Sequence, residues 1–360
     1  MLDDFELEQI VKPLQDWFQG HARVLPWREN PSAYRVWVSE IMLQQTRVEA
    51  VKPYFARFIE ALPDVQALAD CPEERYLKLW EGLGYYNRVR NLHEAAVQVV
   101  KDYGGEIPDS YEELRKLKGI GSYTAGAIAS IAYNKPVPAV DGNVLRVISR
   151  VSGDDSDIMK QSVRTNMEKR LQKLMKEQVK HWLVPRSFNQ ALMELGALVC
   201  VPGGEPHCKE CPWQAFCRAH LEERTDEIPV RSKAKARRIE ERTVFVIRDG
   251  EQVALRKRPS RGLLAGMYEL PNCQGWLSDD EALAFVRELG IEPVRIRPLA
   301  DARHIFSHVE WHMKGYSVLV EDPHEKSAGL LFAEIADARE RYAVPSAFSA
   351  YWNAVIHKDE

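Results

Sequence analysis

The sequence predicts two domains of different class, a mainly α-helical N-terminal half and a smaller α+β C-terminal half. Three observations carry this. From residue 5 to about residue 220, apolar side chains recur at helical spacing. Residues 224–242 are densely charged and contain Pro229, the composition of a linker. Beyond residue 242 the apolar period changes from helical to two. A length of 360 residues suits two or three domains at about 150 residues each, and an apolar content of 45% is enough to fill their cores.

The elements follow in order. Helical spacing runs through Val36 to Leu62, Leu77 to Leu79, Leu92 to Val100 and Tyr123 to Ala132. Tyr103-Gly104-Gly105 and Lys135-Pro136-Val137-Pro138 punctuate between them. The predicted organisation is a helical domain over 1–223, a linker over 224–242 and a second domain over 243–360. In that second domain Val244 and Val246, then Val253 and Leu255, flank Asp249-Gly250, a hairpin signal. A helix is predicted around Asp279 to Leu289 and a strand around Trp311 to Val320. No run of about eighteen apolar residues predicts a membrane span. The acidic start, Met1-Leu2-Asp3-Asp4-Phe5-Glu6, is unlike a signal peptide. An intracellular, cytoplasmic protein is expected, nucleoid-associated in a bacterium. The net charge of −4 argues against a nucleic-acid coat protein. It leaves room for local patches at Arg88 and Arg90, and at Arg231 to Arg238 with five basic residues in eight. Taken singly, each patch also fits a solvated face.

Two motifs carry chemistry. Gly119-Ile120-Gly121 can form a tight hairpin whose backbone N–H groups face one anion. The helical run Thr124-Ala125-Gly126-Ala127-Ile128-Ala129 adds its positive end. Asp141, in Val140-Asp141-Gly142-Asn143-Val144, then offers a carboxylate beside whatever is held. A helix–turn–helix corner with a capping Asp would read the same way. Cys200, Cys208, Cys211 and Cys217 fall within eighteen residues and read as one metal site. Zinc and a [4Fe–4S] cluster both accept four cysteines. The single Cys-x-x-Cys leans towards iron–sulfur. Only Cys71 and Cys273 stand outside the group.

The hairpin with its Asp and the single cysteine loop together resemble the helix-hairpin-helix DNA glycosylases that carry an iron–sulfur cluster. Within that superfamily the chain is similar to the MutY-type adenine DNA glycosylases. Further matching stretches are Leu25-Pro26-Trp27-Arg28, Ser39-Glu40-Ile41-Met42-Leu43-Gln44-Gln45-Thr46, Gly82-Leu83-Gly84-Tyr85-Tyr86, Phe188-Asn189-Gln190-Ala191-Leu192 and Phe306-Ser307-His308. They span both halves of the chain. One departure is the seven-residue gap between Cys200 and Cys208, one longer than the family pattern, in the loop Pro202-Gly203-Gly204-Glu205-Pro206.

The resemblance implies a helix-hairpin-helix glycosylase fold with a [4Fe–4S] cluster on the four cysteines, followed by a Nudix-like domain. Only Arg287-Glu288-Leu289-Gly290 remains of the Glu-rich Mg²⁺ helix of a Nudix hydrolase, so that domain is expected to recognise rather than hydrolyse. The implied activity is excision of adenine opposite 8-oxoguanine or guanine in double-stranded DNA, by a monomer. Breaking the N-glycosidic bond needs a general acid and an anion that stabilises an oxocarbenium-like sugar. Glu40, among Val36, Trp37, Val38, Ile41, Met42 and Leu43, is expected to be the acid at adenine N7, its pKa raised by apolar surroundings. Without the resemblance it would read as a charge on an exposed helix face. Asp141 is expected to stay ionised, as oxocarbenium stabiliser or nucleophile; Tyr123 can hydrogen-bond it or a covalent sugar–Asp intermediate, and Asn143 can orient it. Tyr123 stands where bifunctional relatives resembling endonuclease III hold a lysine that forms a Schiff base. A phenol cannot, which implies a monofunctional enzyme that leaves an abasic site. A bifunctional glycosylase for oxidised pyrimidines is the alternative. By the same resemblance Gln45, Thr46, Tyr85, Gly119 and Gly121 contact DNA, Gln45 and Tyr85 filling the gap left by the flipped base. Arg23, Trp27, Arg28, Leu43 and Gln190 line the adenine pocket. Phe306, Ser307 and His308 sense 8-oxoguanine.

Overall fold

The computed structural model describes residues 5–232, 236–321 and 329–356. Residues 1–4 of the acidic start, and Lys233 and Lys235 of the basic run, lie outside the described residues. The chain divides into two compact units. One holds residues up to 71 together with 88–233, and the other holds 72–87 together with 234 onward.

The first unit is helical. Its centre is the helix Gly142–Ser152, whose residues from Val144 onward are all buried. Val144, Val147, Ile148 and Val151 pack with Ile10 and Leu14 of the N-terminal segment, Leu171 of the helix Gln161–Gln178, and Phe188, Leu192 and Leu195 of the helix Pro185–Leu198. Asp141 caps the central helix, accepting from the Val144 amide at 2.7 Å. Gly153, in the left-handed region, ends it. Gly196 permits its close approach to the helix Pro185–Leu198, since a Cβ there would sit 2.8 Å from the Asn143 Cβ. The run predicted over Val36 to Leu62 forms two helices, Ala33–Leu43 and Val48–Ala61. The predicted hairpin lies ahead of the helix Ser122–Ala127, which continues through a wider turn to Ala132. Gly119 is left-handed (φ 73°), and a Cβ there would meet Asn91 at 2.6 Å. Only glycine fits.

The second unit is a mixed sheet. Its strands are β1 (Arg238–Asp249), β2 (Gln252–Lys257), β3 (Tyr268–Glu269), β4 (Asn272–Gln274), β5 (Pro293–Ile305), β6 (Val309–Val320) and β7 (Leu330–Glu334). The order is β3-β2-β1-β6-β5, with β4 on β1 and β7 on β2. The Asp249-Gly250 signal becomes the β1–β2 hairpin, pairing Asp249 with Gln252. β1 and β6 run parallel, Val244 opposite Gly315. Alternation buries both faces of β1. Phe245 and Ile247 pack under the helix Asp279–Glu288, while Val244 and Val246 pack with Phe348, Tyr351 and Val355 near the C-terminus.

Residues 72–87, which the sequence pattern places in the helical half, group with the sheet unit for a visible reason. The Val344 amide donates to Glu81 at 2.7 Å, and Lys78 donates to the Tyr342 carbonyl at 3.1 Å. Lys257 meets Glu74 at 3.0 Å. Among the described residues, no helix is long and apolar enough to cross a membrane.

Candidate active site

A cleft of 890 Å³ opens in the helical unit. Glu40, Tyr123, Asp141 and Asn143 all line it, with Arg23, Trp27, Arg28, Leu43, Gln45, Thr46 and Gln190. Residues from five separate stretches of sequence therefore meet at one place. Gly119 and Gly121 lie outside this lining.

Glu40 projects from the helix Ala33–Leu43 and is 5% exposed. Burial pushes its pKa up to about 7, and the nearby Asp141 adds to the rise. A hydrogen bond from the Tyr123 hydroxyl to Oε2 and the Arg28 guanidinium pull the other way. Tyr123 thus bonds Glu40 in this structure, where the sequence pointed to Asp141 or a sugar–Asp intermediate as its partner. Its phenol also points to the Met193 sulfur at 3.8 Å. The reason is placement. Asp141 is already held by the Val144 amide and the Asn143 side chain at its own helix, while Glu40 faces the Tyr123 hydroxyl. Burial and the Glu40 carboxylate hold the phenol well above its ordinary pKa, so it stays a neutral donor.

Asp141 sits at the N-terminus of the helix Gly142–Ser152. Burial raises its pKa, and the Val144 amide and the Asn143 side chain draw it back. Asn143 Nδ2 donates to Asp141 Oδ2 at 2.8 Å. Asn143 Oδ1 accepts in turn from Arg146 at 3.0 Å. Arg146 also donates to the Gly196 and Cys200 carbonyls at 2.7 and 2.8 Å. This buried chain of hydrogen bonds ties the Asp141 carboxylate to the start of the cysteine loop.

The sequence reading missed Glu194. It is 1% exposed and ionised, since hydrogen bonds from Arg23 and Arg28 overcome the upward push of burial and hold it down to about 2. Arg23 Nε reaches Oε1 at 2.7 Å, and Arg28 reaches Oε2 at 2.9 Å. The Arg23 amide adds a third donor at 3.0 Å. Both arginines expected in the adenine pocket are therefore engaged by protein. The available signal was weak: an acid four residues after Gln190, just beyond the stretch Phe188 to Leu192 already singled out. Trp27 packs edge-on to Phe55 with ring centroids at 5.4 Å. Gln190 is half-buried and donates to the Arg186 carbonyl at 3.2 Å.

Gln45 and Tyr85 are both in the left-handed region, at φ 60° and 48°. Backbone in that region is uncommon for residues other than glycine and collects at functional sites. Arg88 donates to the Ile41, Met42 and Gln44 carbonyls, closing the helix end that presents Gln45. Tyr85 belongs to the sheet unit and is 46% exposed. Phe306, Ser307 and His308 form the tip of the β5–β6 hairpin. Phe306 packs edge-on to Trp311, and Ser307 and His308 are exposed. Arg237 and the Arg238 amide donate to the tip's carbonyls at 3.2 and 3.0 Å.

Cys200, Cys208, Cys211 and Cys217 line one small pocket with Arg150 and Pro206. None is in a disulfide. Burial and then the neighbouring sulfurs push Cys211 up to about 12 and Cys217 up to about 11. Arg150 stands 3.4 Å from the Cys200 sulfur. Four thiols around one small pocket with a buried cation fit a ligand that takes them as thiolates. Among the described residues, no three His, Cys, Asp or Glu side chains converge on a single metal ion.

Fold and cleft define a class, which comparison with known proteins matches. Residues 38–173 match the HhH-GPD superfamily base excision DNA repair proteins, and residues 243–354 match the NUDIX domain. A thermostable thymine-DNA glycosylase of known structure is similar at a TM-score of 0.52 and 25% identity, over 60% of this chain and 97% of that one. The adenine DNA glycosylase of Mus musculus is 33% identical over 94% of this chain and 77% of its own length. That of Buchnera aphidicola subsp. Baizongia pistaciae is 31% identical over 86% of each. The chain belongs to the adenine DNA glycosylase family.

Proposed function

We propose that the protein is a monofunctional glycosylase that removes adenine opposite 8-oxoguanine or guanine from double-stranded DNA and leaves an abasic site. The observation that carries this is the pairing of a buried Glu40 with a half-buried Asp141 in one cleft, with a tyrosine and not a lysine at position 123. Glu40 holds a proton near neutral pH and donates it to adenine N7. The C1′–N9 bond breaks with its electron pair leaving on the base. Asp141, fixed by Asn143 and the helix N-terminus, stabilises the cationic sugar. Water adds at C1′, and its proton passes to the Glu40 carboxylate, restoring the acid. Tyr123 keeps Glu40 oriented and offers no amine for a Schiff base. The Gly119–Gly121 hairpin holds a backbone phosphate, Gln45 and Tyr85 fill the gap, and Thr46 contacts the strand. Trp27, Leu43 and Gln190 bound the adenine pocket. Phe306, Ser307 and His308 read the opposite base.

The four cysteines would hold a [4Fe–4S] cluster. Zinc gathers four ligands at about 2.3 Å around one point, whereas a four-iron cluster accommodates four cysteines spread around a larger group. When bound, the cluster supplies a crosslink through the loop 200–217. The enzyme acts as a monomer.

The test is single-turnover excision from duplexes holding adenine opposite 8-oxoguanine, compared with a thymine-glycol duplex, each with and without hot alkali. Adenine release with strand breaks appearing only after alkali is the expected result. Alkali-independent nicking, or activity on thymine glycol alone, would move the chain to the bifunctional class.

A further inference from the structure

Glu194 has no part in the chemistry proposed above, yet it is among the most buried charges of the cleft. Its carboxylate accepts three hydrogen bonds from Arg23, through the amide, Nε and one terminal nitrogen, and a fourth from Arg28. Arg28 makes two further contacts. Its other terminal nitrogen donates to the Arg23 carbonyl at 3.1 Å, and its guanidinium lies over the Phe18 ring at 5.6 Å. Among the described residues lining the cleft, the only other carboxylates are Glu40 and Asp141. Asp141 is held by Asn143 and the Val144 amide.

We infer that Glu194 is a positioning residue for the proton donor, engaging Arg28 so that this guanidinium does not pair with Glu40 and hold it ionised. The inference rests on the acid role proposed for Glu40. The groups facing Glu40 are few. Tyr123 comes from the helix Ser122–Ala127, Asp141 from the cap of the central helix, and Arg28 from the turn Pro26–Glu29. Arg23, Arg47, Arg164 and Glu194 complete the charges lining the cleft, and Glu49 acts on Arg23. Arg164 is turned to the Val140 carbonyl at 3.4 Å. Arg28 shares the cleft with Glu40 and draws it towards the ionised form, and Glu194 is its anionic partner at 2.9 Å.

A guanidinium released by loss of Glu194 is left in a poorly solvated site with Glu40 as its available carboxylate. Opposite charge at close range favours the ionised acid by about 1–3 pH units. Glu40 would then lose its proton below neutrality. Glu194→Gln and Arg28→Gln should consequently move the alkaline limb of excision in opposite directions. In Glu194→Gln the limb shifts to lower pH by about one unit or more, so the rate near pH 7.5 falls about tenfold and recovers towards pH 5.5. In Arg28→Gln the limb shifts to higher pH. The double variant brings it back towards the parent position.

The experiment is single-turnover excision of adenine opposite 8-oxoguanine by the full chain at saturating enzyme from pH 5 to 9, with DNA affinity and thermal melting for each variant. Opposite shifts with little change in affinity support the inference. A uniform loss across pH with the limb in place in both variants overturns it. If Glu194→Gln does not fold, the alkaline shift of Arg28→Gln decides alone, and its absence overturns the inference. An unsubstituted protein that excises no adenine sinks the functional reading instead, which keeps the two failures distinct.

Discussion

The cleft of the helical unit and the helix Asp279–Glu288 of the sheet unit use acidic residues in opposite ways. In the helical unit Glu40, Asp141 and Glu194 are withdrawn from water into one cleft. In the sheet unit the helix Asp279–Glu288 carries comparable acidity on a solvated surface. There Glu281 closes a capping box with Ser278, and Asp279 accepts from the Tyr316 hydroxyl at 2.8 Å. Glu292 pairs with an exposed Arg287 at 2.8 Å. Each of these contacts holds a helix end, a turn or a strand in place. The difference teaches that a carboxylate becomes chemistry where burial withholds solvent and neighbours divide its roles. Glu40 is pushed up to about 7, while Glu194 is held down to about 2. The first reserves a proton and the second supplies a fixed charge.

The largest expected effects fall on the first group. Glu40→Gln and Asp141→Asn should each reduce single-turnover excision by about a thousandfold or more, with DNA binding retained, since a positioned acid contributes about 10²–10⁴. Comparable turnover in Glu40→Gln would remove that carboxyl from the mechanism. Substituting Glu281 or Glu288 by Gln should leave excision unchanged within about twofold. A large loss there would break the contrast between the units.

Buried cations should repeat the pattern. Arg146 is 2% exposed and makes three hydrogen bonds, two of them to the carbonyls of Gly196 and Cys200. Arg146→Ala should cost about 3–5 kcal/mol in denaturant unfolding, from partners left unmade and the volume lost. Asp141 would also lose the order imposed on Asn143, so excision should fall with stability. Arg287→Ala, at an exposed pair, should cost under about 1 kcal/mol. Equal costs at the two sites would contradict the role given to burial.

Glu40 also gives a stability prediction with a fixed sign. Its folded pKa is raised from 4.5 to about 7, so the folded state holds a proton that the unfolded state has lost in that window. The stabilisation is fully present below about pH 4.5 and disappears as pH rises through about 7. Glu40→Gln, which cannot ionise, should therefore be more stable than the parent at pH 8 by up to about 3 kcal/mol. At pH 4 the two should differ little. Melting curves at the two pH values test this, and an equal gain at both would mean that burial is not withholding the charge.

Much of this arrangement was legible in the sequence. The capping Asp141 beside a glycine and the Asp249-Gly250 turn are local patterns that the structure repeats, and the four cysteines line one pocket. The burial of Glu40, in contrast, was legible only through the family resemblance, since its helix alone reads as exposing that charge. What was not legible is long-range. Glu194 pairs with Arg23 across 171 positions, and on its own helix it reads as an ordinary polar residue. The Tyr123–Glu40 bond spans 83 positions, so only packing decides which carboxylate the phenol meets. The parallel pairing of β1 with β6 and the grouping of residues 72–87 with the sheet unit likewise depend on contacts far apart in sequence.

The smallest expected effect lies at the β5–β6 tip, and it asks whether the sheet unit contributes binding alone. Ser307 and His308 are exposed, and the His308 carbonyl accepts from the Arg238 amide at 3.0 Å. Their side chains are thus replaceable without disturbing the hairpin, whose Phe306 is fixed against Trp311. A hydrogen bond to an opposing base contributes about 0.5–1.5 kcal/mol. Ser307→Ala with His308→Ala should accordingly lower the preference for 8-oxoguanine over guanine about tenfold, measured as the ratio of excision rates at limiting enzyme. The rate at saturation on the better substrate should change little, because Glu40 and Asp141 are untouched. Unchanged discrimination would place recognition of the opposite base elsewhere. A fall in the saturated rate would show that the tip acts on the chemical step, and the division between a binding unit and a reacting unit would have to be redrawn.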